Sequence, residues 1–597
     1  MKKWAYDIET IINCFTVTFV NTEDFSEYKQ FVICELRNDI ADLLEFSTLF
    51  STDTFVTFNG ENFDKPILFE LLGKAARIGS TPSALYLGAY YQAQQIVSGE
   101  SKPNPTSEGT PQIDLFKLYH FDNEARRTSL KWIQCHLGMD NIQDMPHHHD
   151  KPVTSIEQVD MILKYNLNDC IATALLFNND KTQQLIAVRD WAFEKYDLRS
   201  SKNISNAHMG ELIFLSTLGN IPPPDKGERK IAIADLILPF IKFKTKEFKD
   251  VLNSFKRIKL STTMSNDKIK IQAIKNGMKY VFGLGGIHAA REESIHEDVD
   301  SIDVKSFYPN IAIQFGFTPK HVGQKFTETY KKLYEQRIAT SNPVANNALK
   351  ESLNSVFGKS NSEFSPLYDP AFTFSITANG QLLMAMLAEA IEFHNAGQVI
   401  MANTDGMEVK VYNREIYERI LSKWIELTGM SISKSSYSKL VIRDVNNYIG
   451  IMPNGKIKTK GAYETSKDWN KDPSARILAM AAIQFHAQGI PVSQTILNST
   501  NLDDFFLFKR AKTGKFIGMP SHGSMEYELP KTIRYLVTKS GLILYQKTDS
   551  MNAKVHSDAY VTVVNARSDE KHDLDYSWYI REAEKLIVKQ NIDLFSL

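Results

Sequence analysis

The pattern of apolar and polar positions divides the first 180 or so residues into alternating strands and helices. Apolar stretches at 4–20 and 28–35 predict strands, because short apolar runs with period-two alternation are typical of sheets. A segment rich in Ser, Pro and Gly, at 95–112, predicts a loop. Helical periodicity predicts helices at 36–48, 64–77, 126–137 and 155–178. This alternation indicates an α/β domain.

The middle of the chain has a second α/β pattern. A glycine-rich turn at 283–286 precedes a predicted strand near 299–305. Two helices are expected between 326 and 357, and the segment that follows predicts a further helix at 378–394 and a hairpin at 398–412. The last ~130 residues have a mixed pattern that indicates no single arrangement.

Composition excludes several classes of protein. The chain has 597 residues, 43% apolar and 23% charged, which is globular and at about 150 residues per domain allows roughly four domains. Its four cysteines form no CxxC pair, and no apolar run approaches the roughly 18 residues of a membrane span. We therefore expect a cytoplasmic protein without a membrane segment. The net charge of −1 excludes a uniformly basic coat but allows local basic stripes, such as the one at 242–259.

Two acids near the N-terminus share one face of a predicted strand. In WAYDIET, Asp7 and Glu9 are two positions apart, so both side chains project to the same side. Adjacent carboxylates repel, and a divalent cation relieves that repulsion. The alternative is a solvent-facing strand that carries two acids without a function.

Two later segments add acids of the same kind. FNGENFDKP contains Asn59 and Asp64, and KYNLNDC contains Tyr165 and Asp169, which are four apart and share a helix face. Taken singly, the first is an ordinary polar turn and the second an ordinary surface pair. Together with Asp7 and Glu9 they supply four carboxylates, the hard oxygen ligands that Mg²⁺ or Mn²⁺ prefers. Two such ions can activate water for phosphodiester cleavage.

A second set of acids lies about 300 residues later. In SIDVKSFYP, Ile302 and Val304 are expected to face the core, which turns Asp303 to the opposite face. In MANTDGMEV, Asp405 precedes a glycine between apolar strands. Because Asp-Gly is a strong hairpin signal, Asp405 also has an alternative interpretation as a simple turn residue.

Between these two acids the sequence predicts a helix with a polar face. Asn342 can cap the helix, Pro343 suits its first position, and Gly358 is expected to end it. Asn346, Lys350 and Asn354 then recur on one face at every fourth residue. The preceding helix offers Arg337, with Lys331 and Lys332 as competitors. These cations could clamp a triphosphate, although an ordinary charged helical hairpin would have the same pattern.

In this order the motifs resemble those of family B DNA polymerases with a 3′–5′ exonuclease. DxE, NxxxFD and YxxxD resemble the three exonuclease motifs. DVKSFYP resembles the first palm motif, DxxSLYP; KESLNSVFG resembles the fingers motif, KxxxNSxYG; and ANTDG resembles the hairpin motif, YxDTDS. The six motifs span roughly residues 5–406.

The resemblance implies an α/β multidomain fold, with an RNase H-like exonuclease domain followed by a right-hand polymerase of palm, fingers and thumb. It implies two Mg²⁺ ions (or Mn²⁺) per active site and deoxynucleoside triphosphates as substrates. The implied domains are the exonuclease at 1–180, a linker and the start of the palm at 181–295, palm at 296–317, fingers at 318–360, palm at 361–460 and thumb at 461–597.

The resemblance also implies residue roles. In the exonuclease, four acids would hold metal, Tyr165 would hold the attacking water and Asn59 would contact DNA. In the polymerase, Tyr308 would lie under the incoming sugar and exclude a 2′-hydroxyl, and Asn354 would lie near the nascent base pair. The implied metal residues are Asp7, Glu9, Asp64, Asp169, Asp303, Val304 and Asp405; the implied nucleotide residues are Ser306, Phe307, Tyr308, Arg337, Lys350 and Asn354; and the implied DNA contacts are Asn59, Gly285, Gly286, Lys460 and Tyr463.

The sequence departs from the family pattern in the hairpin motif. Asn403 stands where the family has its first acid, and Gly406 replaces serine. The resemblance therefore leaves an alternative, a 3′–5′ exonuclease with a degenerate polymerase half. A third possibility, a binding module without catalysis, does not account for two carboxylate clusters, since acids repel phosphate unless metal intervenes.

The expected partners follow from the same resemblance. They are primer–template DNA at the polymerase site and single-stranded DNA at the exonuclease site. The gaps of 47 residues from Asp303 to Lys350 and 55 from Lys350 to Asp405 are short. They suggest a compact monomer that replicates a phage or mobile-element genome in a bacterial cytoplasm, with a helicase or clamp as helper.

Overall fold

The computed structural model describes residues 1–77, 80–101, 111–261, 270–283, 285–511, 513–520, 525–548, 551–568 and 570–589. The expected fold class is confirmed: the chain is a mixed α/β protein of several domains. Its three larger sheets follow one another along the sequence.

The N-terminal sheet is built around its first strand. Strand β1 pairs antiparallel with β2 and parallel with β4, and the sheet order is β3-β2-β1-β4-β5. The apolar stretch predicted at 4–20 is a hairpin of two strands that breaks after Ile11. The strands are β1 (Lys3–Ile11), β2 (Cys14–Asn21), β3 (Tyr28–Cys34), β4 (Thr54–Thr57) and β5 (Gln112–Asp114).

Helices cover this sheet, and two of them, α2 and α6, carry candidate site residues. Helix α6 begins as expected, since Ser155 Oγ accepts the Gln158 N–H and Gln158 Oε1 accepts the Thr154 N–H. The predicted loop at 95–112 is wrong in its first part, because residues 95–98 belong to helix α3; residues 102–110 lie outside the described residues. The helices are α1 (Ile40–Ser47), α2 (Asp64–Ala75), α3 (Pro82–Ser98), α4 (Leu115–Leu118), α5 (Leu130–Leu137) and α6 (Ile156–Asn178).

The central sheet has strand order β16-β15-β14-β11-β13-β12-β10-β9-β8. Strand β11 lies in the middle, between β14 and β13, so its last residues are held from both sides. The strands are β6 (Lys230–Ala232) and β7 (Lys259–Ser261), which form a separate pair, and β8 (Ile271–Lys275), β9 (Met278–Phe282), β10 (Ile287–Ala290), β11 (Ser294–Val304), β12 (Gly397–Asn403), β13 (Gly406–Val411), β14 (Ile432–Asp444), β15 (Asn447–Ile451) and β16 (Ile457–Lys460).

Two antiparallel helices, α11 and α12, are inserted between β11 and β12. Asn342 caps α12 as predicted, since its Oδ1 accepts the N–H groups of Val344 and Ala345. The predicted end at Gly358 is wrong, because the helix continues through Lys359. The helices of this region are α7 (Asp180–Lys195), α8 (Asn206–Leu218), α9 (Lys246–Arg257), α10 (Phe307–Phe315), α11 (Gln324–Ala339), α12 (Pro343–Lys359), α13 (Pro370–Phe393) and α14 (Arg414–Thr428).

Helix α13 is the main core helix of this region. By length and composition alone its 24 residues could cross a membrane, and it is the one such helix among the described residues. However, 89% of its most apolar stretch is buried inside the protein. Its apolar side chains therefore form part of the hydrophobic core under the central sheet.

The C-terminal region contains a third sheet, in the order β17-β20-β23-β21-β18-β19, with β22 on β21. Helices α15, α16 and α17 pack with it around a common core. The elements are α15 (Arg476–Gln488), α16 (Val492–Asn498), β17 (Leu507–Arg510), β18 (Lys515–Pro520), β19 (Tyr527–Leu529), β20 (Thr532–Thr538), β21 (Leu542–Thr548), β22 (Met551–Lys554), β23 (Tyr560–Val563) and α17 (Tyr576–Glu584).

Candidate active sites

The structure brings the N-terminal acids together. Strand β1 places Asp7 and Glu9 on one face, and α6, which packs across β1 and β2, adds Asp169. Carboxylate oxygens of Asp7, Glu9 and Asp169 all lie within 4.8 Å of one another. Asp64, at the start of α2, is buried beside them and its Oδ1 accepts the Ile8 N–H at 3.1 Å. Three separated segments thus build one carboxylate cluster.

Donors on two helices contact this cluster. Asn166 Nδ2 donates to Asp7 Oδ2 at 2.8 Å. Lys131 Nζ, on α5, donates to both oxygens of Asp169 at 2.5 and 2.8 Å. Gln134 Nε2, one turn later, donates to Asp169 Oδ1 at 2.6 Å. Asp169 is therefore the most firmly held of the acids.

Burial disfavours ionisation of the other acids. Burial raises the pKa of Glu9 to about 8, with repulsion from Asp169 as the next cause. Burial likewise raises the pKa of Asp64 to about 7, and burial together with repulsion from Asp64 raises the pKa of Asp7. A bound divalent cation would stabilise the ionised forms. The donor set of crowded carboxylate oxygens fits Mg²⁺ or Mn²⁺.

Tyr165 lies beside these acids on α6. Its ring is buried, and Lys131 Nζ lies 4.1 Å from the ring centroid. Burial and the charges of Asp169 and Glu9 raise the pKa of the phenol, so it stays protonated and can donate a hydrogen bond.

Asn59 has a local role in the loop before α2. Its backbone adopts the left-handed conformation (φ 72°), and its N–H donates to buried Asp114 Oδ1 at 2.9 Å. Its side-chain oxygen accepts from Asn62 Nδ2 at 3.0 Å. A DNA contact by Asn59 stays a prediction.

Sequence reasoning missed Gln134 and Asn166 and gave no role to Lys131. Asn166 could have been found, since it is three residues before Asp169 on the same helix. Gln134 gives no such signal, because it reaches Asp169 only through the packing of α5 on α6.

The second pair of acids meets where two neighbouring strands in the middle of the central sheet, β11 and β13, have their ends. Asp303 lies at the end of β11 opposite Gly406, and the Val304 N–H donates to the Asp405 carbonyl at 2.9 Å. Both acids line a cavity of about 1000 Å³. Its other lining residues include Val304, Ser306, Phe307, Tyr308, Arg337, Asn346, Lys350, Asn354 and Thr404.

The hairpin that carries Asp405 differs from the Asp-Gly turn considered above. Its two loop residues are Thr404 and Asp405, and Gly406 already belongs to β13. Thr404 adopts a left-handed conformation (φ 57°), which is strained for a β-branched residue. Asn403 does not line the cavity described above.

The segment after Asp303 offers backbone donors to the same cavity. Ser306 is left-handed (φ 48°) and begins α10. Within the described chain, the N–H groups of Ser306, Phe307 and Tyr308 have no acceptor. Free amides at a helix N-terminus favour a bound anion. Arg337 Nη1 donates to Ser306 Oγ at 2.8 Å and so holds this segment.

Two cations, Arg337 and Lys350, line the same cavity as the acids. Lys350, Asn346 and Asn354 all line it, as their four-residue spacing predicts. Of the three competing cations on α11, only Arg337 lines it, while Lys331 pairs with Glu335 at the surface. Lys350 forms no ion pair among the described residues.

Tyr308 lines the cavity and is held by contacts of its hydroxyl and its ring. Its hydroxyl donates to the Gly285 carbonyl at 2.6 Å. Its ring lies 5.7 Å from that of Phe307 and 4.8 Å from that of Phe357. These contacts fix the orientation of the ring in the cavity lining.

The two cavity acids are less buried than the N-terminal ones. Burial raises the pKa of Asp303, with repulsion from Asp405 as the next cause, and burial raises the pKa of Asp405. Two adjacent carboxylates are hard oxygen donors, which fits divalent cations.

The structure bears on several of the implied roles. The side chains of Val304 and Phe307 are buried in the core, which leaves their backbone atoms for the implied contacts, and these contacts stay a prediction. At Gly286 a Cβ would lie 2.7 Å from Thr404 Oγ1, so the protein itself requires a glycine there, and a DNA contact by Gly286 stays a prediction. Tyr463 is fully buried and its hydroxyl donates to the Leu586 carbonyl at 2.8 Å, so this side chain is not available to DNA. Lys460, in contrast, is exposed on β16, and Gly285 is exposed.

Comparison with known proteins finds distant similarity to polymerases. The chain is 21% identical over 463 residues to DNA polymerase 1 of Sulfolobus acidocaldarius, covering 68% of this chain and 46% of that protein. It is 21% identical over 465 residues to DNA polymerase 1 of Sulfurisphaera ohwakuensis, covering 72% of this chain and 50% of that protein. The chain spans about half the length of these curated relatives.

Among solved structures, the family B DNA polymerase of Pyrobaculum calidifontis is similar with a TM-score of 0.46 and 14% identity, over 100% of this chain and 78% of that one. No family model matches the sequence. By sequence, therefore, the chain is similar to archaeal DNA polymerases over about two thirds of its length.

Proposed function

We propose that the protein is a family B DNA polymerase that extends a primer 3′-hydroxyl on a DNA template and trims 3′ ends at a second site. The observation that carries this proposal is the cavity of about 1000 Å³, whose lining combines two acids, Asp303 and Asp405, with two cations, Arg337 and Lys350, that form no ion pair among the described residues. That division of charge suits a triphosphate whose reacting phosphate lies at the acids and whose tail lies at the cations.

The chain's own groups would bind and orient the nucleotide. Lys350 and Arg337 would contact the β- and γ-phosphates, and the free amides of Ser306 to Tyr308 would donate to the same oxygens. Tyr308, held by Gly285, would pack under the sugar and leave no room for a 2′-hydroxyl. Asn354 would lie near the nascent base pair.

Asp303 and Asp405 would hold the divalent cations at the polymerase site. Such ions would lower the pKa of the primer 3′-hydroxyl and neutralise charge on the pyrophosphate.

At the N-terminal site, Asp7, Glu9, Asp64 and Asp169 would hold a second pair of cations. Tyr165 would donate to and orient the attacking water, and single-stranded DNA would be the substrate. Lys131 holds Asp169 in place by donating to both of its carboxylate oxygens.

The setting of the enzyme is part of the proposal. Primer–template DNA is the main partner, and the domains are those implied by the motifs. A compact monomer, without long insertions between its motifs, would rely on a helicase or clamp and would serve a phage or mobile-element genome in a bacterial cytoplasm. Efficient strand displacement by the purified protein alone would contradict the reliance on a helper.

Primer extension tests the proposal. A labelled primer on a DNA template, with four deoxynucleotides and Mg²⁺, should grow to template length, and EDTA should stop it. Shortening of the primer without any growth would instead favour the alternative, an exonuclease with a degenerate polymerase half. Retention of DNA without either change would favour a binding module.

A further inference from the structure

Helix α5 contacts two parts of the molecule with two neighbouring faces. One face carries Lys131 and Gln134, both of which donate to Asp169. The other carries Trp132 and Cys135, which are buried in the core of the C-terminal region with α15 and β20. This short helix therefore lies between the N-terminal acid cluster and a region more than 330 residues away in sequence.

Polar contacts fix the face that meets the C-terminal region. Trp132 Nε1 donates to the Lys471 carbonyl at 3.0 Å, and the Arg510 guanidinium lies 5.0 Å from the Trp132 ring centroid. The cation over the ring adds electrostatic attraction to the burial of the indole.

The C-terminal end of α5 is held by an arginine from the same region. Gly138 ends the helix in a left-handed conformation, and Arg567 Nη2 donates to its carbonyl at 3.0 Å. The Arg567 N–H donates to the Asp140 carbonyl at 2.8 Å. A cation at a helix C-terminus also favours the helix dipole.

A buried arginine holds the segment that follows. Arg534 is fully buried, and it donates to four backbone carbonyls. Two belong to the N-terminal region (Met139 at 2.6 Å and Asp140 at 3.1 Å) and two to its own region (Val564 at 2.7 Å and Asn565 at 3.1 Å). Loss of any of these carbonyls would leave a buried charge partly unsatisfied, so the two regions are held in one relative position.

Gln134 links the position of α5 to the acid cluster. It is fully buried, and its Nε2 donates to Asp169 Oδ1. Its Oε1 has no partner among the described residues. The orientation of this amide is therefore set by the packing of α5 and by Asp169.

We infer that the C-terminal region controls the exonuclease site through α5, with Arg567 and Gln134 as positioning residues for Asp169. This inference rests on the proposed nuclease function. A metal-holding carboxylate must be held within about half an ångström of its productive position, so a shift of α5 lowers turnover. The exonuclease site is thus completed by a region that carries none of its acids.

Arg567→Ala in the full chain is the primary test, because the Arg567 side chain is partly exposed and bonds the C-terminal end of α5. Degradation of single-stranded DNA should lose about tenfold in kcat, as expected for an outer support of a metal ligand, with KM unchanged. Primer extension should stay within twofold of wild type. Amide hydrogen exchange at 130–142 should become faster.

Arg581→Ala is the matched control. Arg581 belongs to the same region and forms a surface pair with Asp558 at 2.8 Å, away from α5. It should change neither activity. Equal loss of kcat in both variants, or equal loss of extension and degradation in Arg567→Ala, would overturn the inference in favour of a general loss of structure.

Gln134→Met supplies the second variant, since methionine keeps the volume and removes the donor. It should lower exonuclease kcat alone, and adding Arg567→Ala should cause little further loss, because both act through Asp169. If the losses of exonuclease kcat in the two single variants add fully in the double variant, the two residues do not act through the same contact with Asp169. Absence of nuclease activity in the wild-type protein would refute the proposed function itself. If the wild type degrades DNA, Asp7→Ala abolishes that activity and Arg567→Ala leaves it unchanged, only this inference is refuted.

Discussion

The two acid sites differ in the burial of their carboxylates and in where the neighbouring cations lie. The N-terminal site crowds four carboxylates into a largely buried space and places a cation, Lys131, directly on one of them. The cavity at Asp303 holds two less buried acids, and its cations lie on other elements, the helices α11 and α12. The first arrangement suits cleavage at a single phosphodiester, and the second leaves room for a triphosphate between acids and cations.

The two sites also differ in backbone strain near their acids. Ser306 and Thr404 have left-handed backbones, and each lies within three residues of one cavity acid. At the N-terminal site, Asp7 and Glu9 lie on a regular strand, and Asp169 lies within a regular helix. The cavity therefore depends on local backbone geometry, whereas the N-terminal site depends on packing between elements.

The largest expected effect is a loss of primer extension that distinguishes Asp405 from Asn403 in the hairpin motif. Asp405→Asn should reduce primer extension on the order of a thousandfold or more, because it removes a metal-binding carboxylate. Asn403→Ala should only reduce extension, since Asn403 lies outside the cavity lining. Extension rates of the two variants check this, and equal total loss would show that the hairpin is assigned wrongly.

A smaller effect is expected at the cavity wall. Lys350→Ala should raise the KM for nucleotides by about tenfold, since a charge-assisted contact to phosphate is worth about 1.5–3 kcal/mol. Lys331→Ala, on the neighbouring helix but paired with Glu335, is the matched control and should have little effect. Steady-state extension at varied nucleotide concentration measures both; similar KM changes would remove Lys350 from the triphosphate site.

The smallest effect concerns pH and stability. In the metal-free protein, burial raises the pKa of Glu9 to about 8 and of Asp64 to about 7. Because the protonated forms are favoured in the fold, these groups stabilise it at low pH, and this contribution is lost as pH rises through 7 and 8. Mg²⁺ binds the ionised forms, so it should raise the melting temperature more at pH 8 than at pH 6. An equal rise at both values, or a rise that persists in Asp7→Ala combined with Asp303→Ala, would contradict this account.

Sequence patterns predicted the parts of the sites that depend on local periodicity. The two-residue spacing of Asp7 and Glu9 placed them on one face, and the four-residue spacing of Asn346, Lys350 and Asn354 placed all three on one cavity wall. The burial of Ile302 and Val304 likewise turned Asp303 outward.

Other features depend on contacts between distant segments. Tyr463 matches a DNA-binding pattern, but the carbonyl of Leu586, 123 residues later, accepts its hydroxyl within the core. Gly286 matches a phosphate-contact pattern, and the structure adds a second requirement for glycine there, the close approach of Thr404. Gln134 reaches Asp169 only after α5 and α6 pack. No local pattern in a single sequence records these long-range contacts.

The most direct test of two separate sites is a pair of single substitutions on one primed template. Asp303→Ala should abolish extension and spare shortening of the primer, and Asp7→Ala should abolish shortening and spare extension. Loss of both activities in either variant would contradict the central claim that building and trimming occur at different acids.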